Sequence, residues 1–126
     1  MTGTAPPATE LTEPSRGQVW LVRFGASEPG EPGKNRPAII VSADALRTGS
    51  ARDLFAVVPI SATEPSSHIR PAVAPADAGI DRLSVALPGG IRAVSRARLL
   101  RHMGFVEVDT MRAVEQALAV VLGIDS

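Results

Sequence analysis

Short apolar runs separated by glycine and proline are the feature that most restricts how this 126-residue chain can fold. In the first run, Trp20, Val22 and Phe24 alternate with Val19 and Leu21, so both faces of a predicted strand are largely apolar. A strand closed into a small barrel has this pattern. Further strand-like runs occupy 37–42, 54–61, 69–74, 83–87 and 91–95. Short strands at this spacing predict a mainly β fold, built as a small barrel.

Three segments have the pattern of helices. Short helices are predicted at 42–47 and 95–102, because each begins at a serine that can cap it. A longer helix is predicted to be capped by Asp109 and to end at Gly123. Its apolar residues recur at helical spacing and are Met111, Val114, Leu118 and Val121. We expect this helix to pack on the barrel or on a partner.

The chain is long enough for one hydrophobic core, and it divides into two parts by composition. Residues 1–14 mix proline, threonine, alanine and glutamate without apolar periodicity, so we expect a flexible tail that cannot pack. Residues 15–126 are predicted to form a single domain.

Composition excludes several classes of chemistry. The chain has no cysteine, which removes disulfides, cysteine-ligated zinc and thiol nucleophiles. It has no paired-histidine spacing and no phosphate-binding glycine motif, so we expect neither a metal nor a cofactor. No apolar run is long enough to cross a bilayer, and the first residues lack the pattern of a signal peptide. We therefore expect a cytoplasmic protein without a membrane partner.

A glycine-rich loop is predicted at 25–35, and it delivers two cations, Lys34 and Arg36, to the start of a buried strand. Pro37 restricts the preceding residue to extended backbone, so the Arg36 side chain is placed by a stiff segment. Two interpretations are open from these residues alone. Arg36 contacts a phosphate, or it pairs at the surface with a glutamate of its own loop, Glu28 or Glu31.

Three blocks of the sequence together resemble the MazF/PemK family of toxin endoribonucleases. They are RGQVWLV at 16–22, EPGKNRP at 31–37 and VVPIS at 57–61, and weaker similarity continues at 84–87, 91–94 and 98–99. The resemblance implies a dimeric SH3-like barrel of the CcdB/PemK type with short helices and a C-terminal helix. It also implies a type II toxin that cleaves single-stranded RNA (mRNA, or rRNA or tRNA) at short sequence motifs without a metal, and that a cognate antitoxin silences.

The resemblance assigns the catalytic pair of the family to Arg36 and Ser61. Threonine is common at the second position, so serine keeps the hydroxyl and loses a methyl group. The chemistry suits both residues, because metal-free cleavage uses the 2′-hydroxyl of RNA as nucleophile and builds negative charge on the phosphate. A guanidinium can donate to two phosphate oxygens at once, and a serine hydroxyl can bond a phosphate oxygen or the 2′-hydroxyl.

The general base is left open by the sequence. His68 has an imidazole of suitable chemistry and lies seven residues after Ser61, although a lone histidine at the start of a strand is more often structural or exposed. Glu31 lies in the same loop as Lys34, although a loop glutamate is usually just solvated. Both residues stay candidates.

Candidate RNA-binding residues are polar, because aromatic residues make up only 3% of the chain and fall in strand-like contexts. The candidates are Lys34, Thr63, Arg92 and Arg98. Arg92 and Arg98 belong to the acid-free segment 82–106, although each can equally be a solvated charge on a strand or at a helix end. Because the formal net charge is zero, any RNA must be held by a local patch.

Two other functions remain open. One is a CcdB-type toxin that poisons DNA gyrase, which would not need a catalytic arginine. The other is a barrel that binds RNA or an antitoxin without catalysis, which the serine at position 61 leaves open.

Overall fold

The computed structural model describes residues 13–25, 29 and 34–124. Seven strands and two α-helices are present in this part of the chain. The strands are β1 (Gln18–Arg23), β2 (Asn35–Ile40), β3 (Leu54–Ser61), β4 (Ala72–Val73), β5 (Ser84–Ala86), β6 (Arg92–Ser95) and β7 (Leu99–Phe105). The helices are α1 (Pro75–Ala78) and α2 (Val108–Leu122), and 3₁₀ turns lie at Asp44–Leu46, Pro88–Gly90 and Arg96–Arg98.

Five of the strands form the barrel that the sequence predicts. The pairing order β3–β2–β1–β7 is antiparallel throughout, and β6 pairs with the other side of β3. The 3₁₀ turn at Arg96–Arg98 joins β6 to β7, the two outer strands of this half-barrel. Inside it lies one core cluster, made of Trp20, Val22, Phe24, Ala38, Ile40, Phe55, Val57, Val94 and Leu99.

A second core covers the opposite face of the same strands, which explains why β1 is apolar on both sides. Val19, Ile39 and Val58 point away from the barrel interior and pack with Val114 of α2 and Val73 of β4. Met111 and Leu118 of α2 pack against this cluster as well. The predicted apolar face of the C-terminal helix is therefore confirmed from Met111 to Leu118, and the helix packs on the barrel.

The prediction of a helix at 95–102 is wrong. Only 96–98 form a 3₁₀ turn, and the following residues are β7, which pairs with β1 along its length. Leu99 and Met103 have helical spacing, but pairing with β1 gives the backbone of 99–105 its hydrogen bonds and buries Leu99 inside the barrel. Ser95 makes no capping bond.

Smaller corrections concern helix starts and one strand. The helix predicted at 42–47 is a single 3₁₀ turn, and the Ser42 hydroxyl accepts a hydrogen bond from the Ala56 amide instead of capping it (3.1 Å). Helix α2 begins after Glu107, so Asp109 lies in its first turn. It ends at Gly123, in the left-handed conformation, as predicted. The strand predicted at 69–74 shortens to β4, because 67–70 form a turn closed by two backbone hydrogen bonds.

The segment before β1 is tied to the barrel. Residues 1–12 of the predicted tail lie outside the described residues, but Pro14 is fully buried, contrary to the expectation that nothing up to residue 14 packs. Its carbonyl accepts a hydrogen bond from the Arg47 guanidinium (3.0 Å). Two residues further on, Arg16 donates to the Val41 carbonyl (2.7 Å) and forms an ion pair with Glu115 of α2.

Neither of the described helices has the length and apolar content required to cross a membrane.

Candidate active site

The register of two neighbouring strands brings Arg36 and Ser61 together. Strands β2 and β3 pair Ala38 with Pro59 and Ile39 with Val58. Continued by two residues toward the loop, the same antiparallel register places Arg36 opposite Ser61. Opposite residues of such a pair project to the same side of the sheet, with Cβ atoms about 5 Å apart. The observed pairing ends at Ala38 and Pro59, and its direction brings the two residues assigned by the family resemblance toward one another.

Both residues line one cleft of about 430 Å³, here named the Ser61 cleft. Arg36 is exposed at its rim, whereas Ser61 is buried, with only 4% of its surface exposed. The segment after β3, the 3₁₀ turn at Pro88–Gly90 and the end of α2 complete the wall. The other lining residues are Thr63, Glu64, Ile69, Arg70, Leu87, Gly89, Gly90 and Val121.

The Ser61 hydroxyl is held by Thr63. The Thr63 amide donates to Ser61 Oγ (3.2 Å), and the two hydroxyl oxygens lie 3.1 Å apart. When the Thr63 hydroxyl is the donor of that second bond, the Ser61 proton is left to donate to a ligand in the cleft. Thr63, predicted as an RNA-binding residue, is therefore also the residue that positions Ser61.

A second cleft of about 310 Å³ lies beside the first and shares Arg36 with it. We name it the Asp81 cleft. Its polar lining includes Lys34, Asn35, Asp81 and Ser84. Lys34 adopts the left-handed conformation (φ 60°), and its amide donates to the Gly25 carbonyl (2.6 Å). Arg36 thus stands between two polar clefts, with the second cation of the loop, Lys34, lining one of them.

Two charged residues of the Ser61 cleft are absent from the sequence-based predictions, Glu64 and Arg70. Their side chains form an ion pair of 3.9 Å. They reach the cleft because the chain after β3 doubles back through the turn at 67–70. One signal was present in the sequence, since Arg70 precedes Pro71 just as Arg36 precedes Pro37. That dipeptide gives Arg70 the same extended backbone restriction.

The two predicted candidates for the general base are placed differently. His68 is exposed at the tip of the turn at 67–70, and within the described part of the chain it does not contribute to the lining of the Ser61 cleft. Glu31 lies outside the described residues, as does Glu28, the other proposed loop partner of Arg36.

Arg92 and Arg98 lie at the base of the loop between β1 and β2. The Arg92 guanidinium stacks over the ring of Phe24, with its carbon 5.3 Å from the ring centre. Arg98 donates to the Arg23 carbonyl (2.9 Å). The neighbouring Arg96 stacks in the same way over Trp20, at 5.1 Å. These contacts brace the end of the barrel, and a role of Arg92 and Arg98 in RNA binding stays a prediction.

Among residues 13–25, 29 and 34–124, no cluster of three or more histidine, aspartate and glutamate side chains is arranged to hold a metal ion. The ionisable groups of the two clefts are instead guanidinium groups, one ammonium and two carboxylates. Such a site can bind a phosphate and hydrogen-bond a nucleobase.

Comparison with solved structures identifies the architecture. An endoribonuclease bound to its cognate antitoxin, from a mycobacterial species, superimposes with a TM-score of 0.72 over 90% of this chain and 99% of that chain, at 24% identity. A MazF from Deinococcus radiodurans gives 0.73 over 88% and 97%, at 22% identity. The barrel with its C-terminal helix is thus the CcdB/PemK-type fold, as predicted.

Sequence comparison defines the family. Residues 15–122 match the family described as PemK-like, MazF-like toxin of type II toxin-antitoxin system. The Endoribonuclease MazF9 of Mycobacterium tuberculosis is 26% identical over 113 residues, which cover 86% of this chain and 96% of that protein. The chain belongs to the PemK/MazF family of type II toxins, and the resemblance seen in the three sequence blocks is confirmed.

Proposed function

We propose that this toxin is a metal-independent endoribonuclease that cleaves single-stranded RNA, with Arg36 and Ser61 as its catalytic pair. The observation that carries this proposal is that Arg36 and Ser61, which come from two paired strands, line one cleft. The name of the MazF9 relative, an endoribonuclease, supports the same activity.

In the proposed reaction, each residue of the pair has its own role. The 2′-oxygen of the substrate attacks the neighbouring phosphorus, the bond to the 5′-oxygen breaks, and the products carry a 2′,3′-cyclic phosphate and a 5′-hydroxyl. Arg36 stabilises the negative charge on the phosphate by donating to two of its oxygens. Ser61, held by Thr63, donates to a phosphate oxygen or to the 2′-oxygen and so fixes the phosphate relative to the nucleophile.

The partners of the toxin follow from its family and its relatives. A type II toxin acts with an antitoxin, and one structural neighbour is solved with its cognate antitoxin. We propose a homodimer silenced by a cognate antitoxin in the cytoplasm, where its RNA substrate is found.

Incubation of the purified protein with single-stranded RNA in EDTA tests the activity. We expect cleavage to 2′,3′-cyclic phosphate and 5′-hydroxyl ends. Arg36→Ala should lower the rate by about two to three powers of ten or more, because a preorganised donor to the charged phosphate is lost. The variant should keep the circular dichroism spectrum of the wild type, since Arg36 is exposed.

Arg52→Ala is the matched control, because Arg52 is also an exposed arginine but lines neither the Ser61 cleft nor the Asp81 cleft. Full cleavage by Arg36→Ala would refute the catalytic assignment. RNA that is bound but never cut would favour the non-catalytic barrel, and inhibition of gyrase without RNA cleavage would favour the CcdB-type function.

A further inference from the structure

The proposed reaction needs a group that accepts the proton of the 2′-hydroxyl, and the Ser61 cleft contains one. The charged side chains among its described lining residues are Arg36, Arg70 and Glu64. A guanidinium is a donor without acceptor capacity, and the hydroxyls of Ser61 and Thr63 are weak bases. Glu64 is the carboxylate that remains. We propose that Glu64 is the general base of this toxin, an inference that rests on the endoribonuclease activity proposed above.

The local chain holds Glu64 close to the catalytic serine. Glu64 directly follows Thr63, whose amide donates to Ser61 Oγ (3.2 Å). This hydrogen bond folds the chain immediately after β3, so residue 64 is delivered to the same wall as Ser61. His68 sits further along, at the exposed tip of the next turn.

Arg70 lies beside the Glu64 carboxylate. One of its terminal nitrogens lies 3.9 Å from Glu64 Oε1, and the two side chains are 41% and 43% exposed. A partly solvated pair at this distance is weak, so the Glu64 carboxylate keeps its second oxygen for substrate. Two backbone hydrogen bonds between Ser67 and Arg70 fix the position of Arg70.

The 2′-hydroxyl proton passes to a Glu64 oxygen as the 2′-oxygen bonds to phosphorus. The bond between phosphorus and the 5′-oxygen breaks, and the departing oxygen takes a proton from water. The resulting hydroxide removes the proton from Glu64 and restores the carboxylate. Arg36 stabilises the negative charge of the phosphate throughout, and Arg70 lies beside Glu64 in the same cleft.

Glu64→Gln tests this role, because glutamine keeps the size of the side chain but accepts no proton at neutral pH. We expect kcat to fall by about 10²- to 10⁴-fold, the usual contribution of a general base. KM for RNA should change little. Glu64→Asp should recover part of kcat.

A substrate with sulfur in place of the bridging 5′-oxygen distinguishes loss of a general base from loss of a general acid. The thiolate leaves without protonation, so a defect in a general acid is rescued and a defect in a general base is not. We expect the Glu64→Gln defect to persist on this substrate, and rescue would overturn the assignment.

Glu107→Gln serves as the matched control, since Glu107 is an exposed glutamate next to α2 and lines neither cleft. Unchanged kcat in Glu64→Gln, or a loss in His68→Gln instead, would refute the inference while wild-type cleavage and the Arg36→Ala defect left the proposed function standing. A wild-type protein that does not cut RNA would instead refute the function itself.

Discussion

At the scale of single residues, proline and glycine determine the backbone conformation at positions that matter for the site and for the fold. Pro37 keeps Arg36 in extended backbone, and the strand pairing of Arg36 with Val22 continues that geometry into β1. Arg36 is therefore a strand residue rather than a loop residue. Its guanidinium starts from a backbone that is hydrogen-bonded within the barrel, which is the kind of support that a preorganised catalytic charge requires.

Replacement of Gly79 should be costly to stability. Gly79 ends α1 with φ +72°, and an added Cβ would lie 2.0 Å from the Met103 carbonyl oxygen of β7. We expect Gly79→Ala to lower the free energy of unfolding by about 3 kcal/mol or more, from left-handed strain and a backbone clash together. Urea denaturation followed by Trp20 fluorescence measures this loss.

Gly49→Ala isolates the conformational part of that cost. Gly49 has φ +81°, but an added Cβ would meet nothing within 4 Å. We expect a loss of only about 1–2 kcal/mol there. Equal losses in the two variants would mean that α1 moves away from β7 without penalty.

At the scale of elements, predictions succeeded where the pattern was local and failed where a distant strand decided the outcome. The alternation in β1 and the helical spacing of Met111, Val114 and Leu118 describe surfaces that are buried in the fold. Leu99 and Met103 have helical spacing too, yet their segment is β7 because β1 supplies its hydrogen bonds. Spacing alone does not show which neighbour a segment will have.

The residues of the candidate site also differ in whether the sequence could predict them. Arg36 and Ser61 could be assigned because each falls in a block shared with a known family. Glu64 and Arg70 belong to no such block, and the turn at 67–70 that returns the chain to the cleft leaves no periodic pattern. Their contribution became visible only when the cleft itself could be described.

The segment before β1 connects several elements through the contacts of Pro14 and Arg16. Truncation should show at which residue these stabilising contacts begin. Removing residues 1–12 should leave the free energy of unfolding nearly unchanged, as the composition of the tail predicts. Removing residues 1–14 should lower it by about 1–2 kcal/mol, because Pro14 is fully buried and its carbonyl bonds Arg47.

Chemical denaturation of the two truncated chains measures the difference. Equal stability of both would show that the contacts of Pro14 contribute nothing. A large loss on removing residues 1–12 alone would show instead that the tail itself packs.

At the scale of the whole molecule, the zero net charge confines electrostatic attraction for RNA to the neighbourhood of the clefts. Lys34, Arg36 and Arg70 line the two adjoining clefts, whereas Arg92, Arg96 and Arg98 are occupied with the barrel end. Three arginines of segment 82–106 therefore already have contacts within the fold.

This distribution predicts a modest salt dependence of RNA binding. With about three phosphate contacts, the logarithm of the association constant should fall against the logarithm of salt concentration with a slope of about −2. Lys34→Ala should reduce that slope by about 0.7 and weaken binding to all RNA sequences alike. Titration of a 2′-O-methyl RNA, which has no nucleophilic hydroxyl, measures both values without cleavage.

Arg52→Ala provides the reference for that titration, since it removes one positive charge outside the clefts. An equal change of slope in both variants would mean that RNA responds to overall charge. A wild-type slope much steeper than about −2 would indicate that the arginines of the barrel end also contact RNA.

The base of the loop between β1 and β2 is closed by paired backbone hydrogen bonds, from the Phe24 amide to the Lys34 carbonyl (2.8 Å) and from the Lys34 amide to the Gly25 carbonyl (2.6 Å). Arg36 follows these hydrogen bonds along the chain and pairs within the sheet. The backbone position of Arg36 is thus set by its pairing with Val22 of β1. A related toxin whose loop differs in length should therefore still hold this arginine in the same register of the sheet.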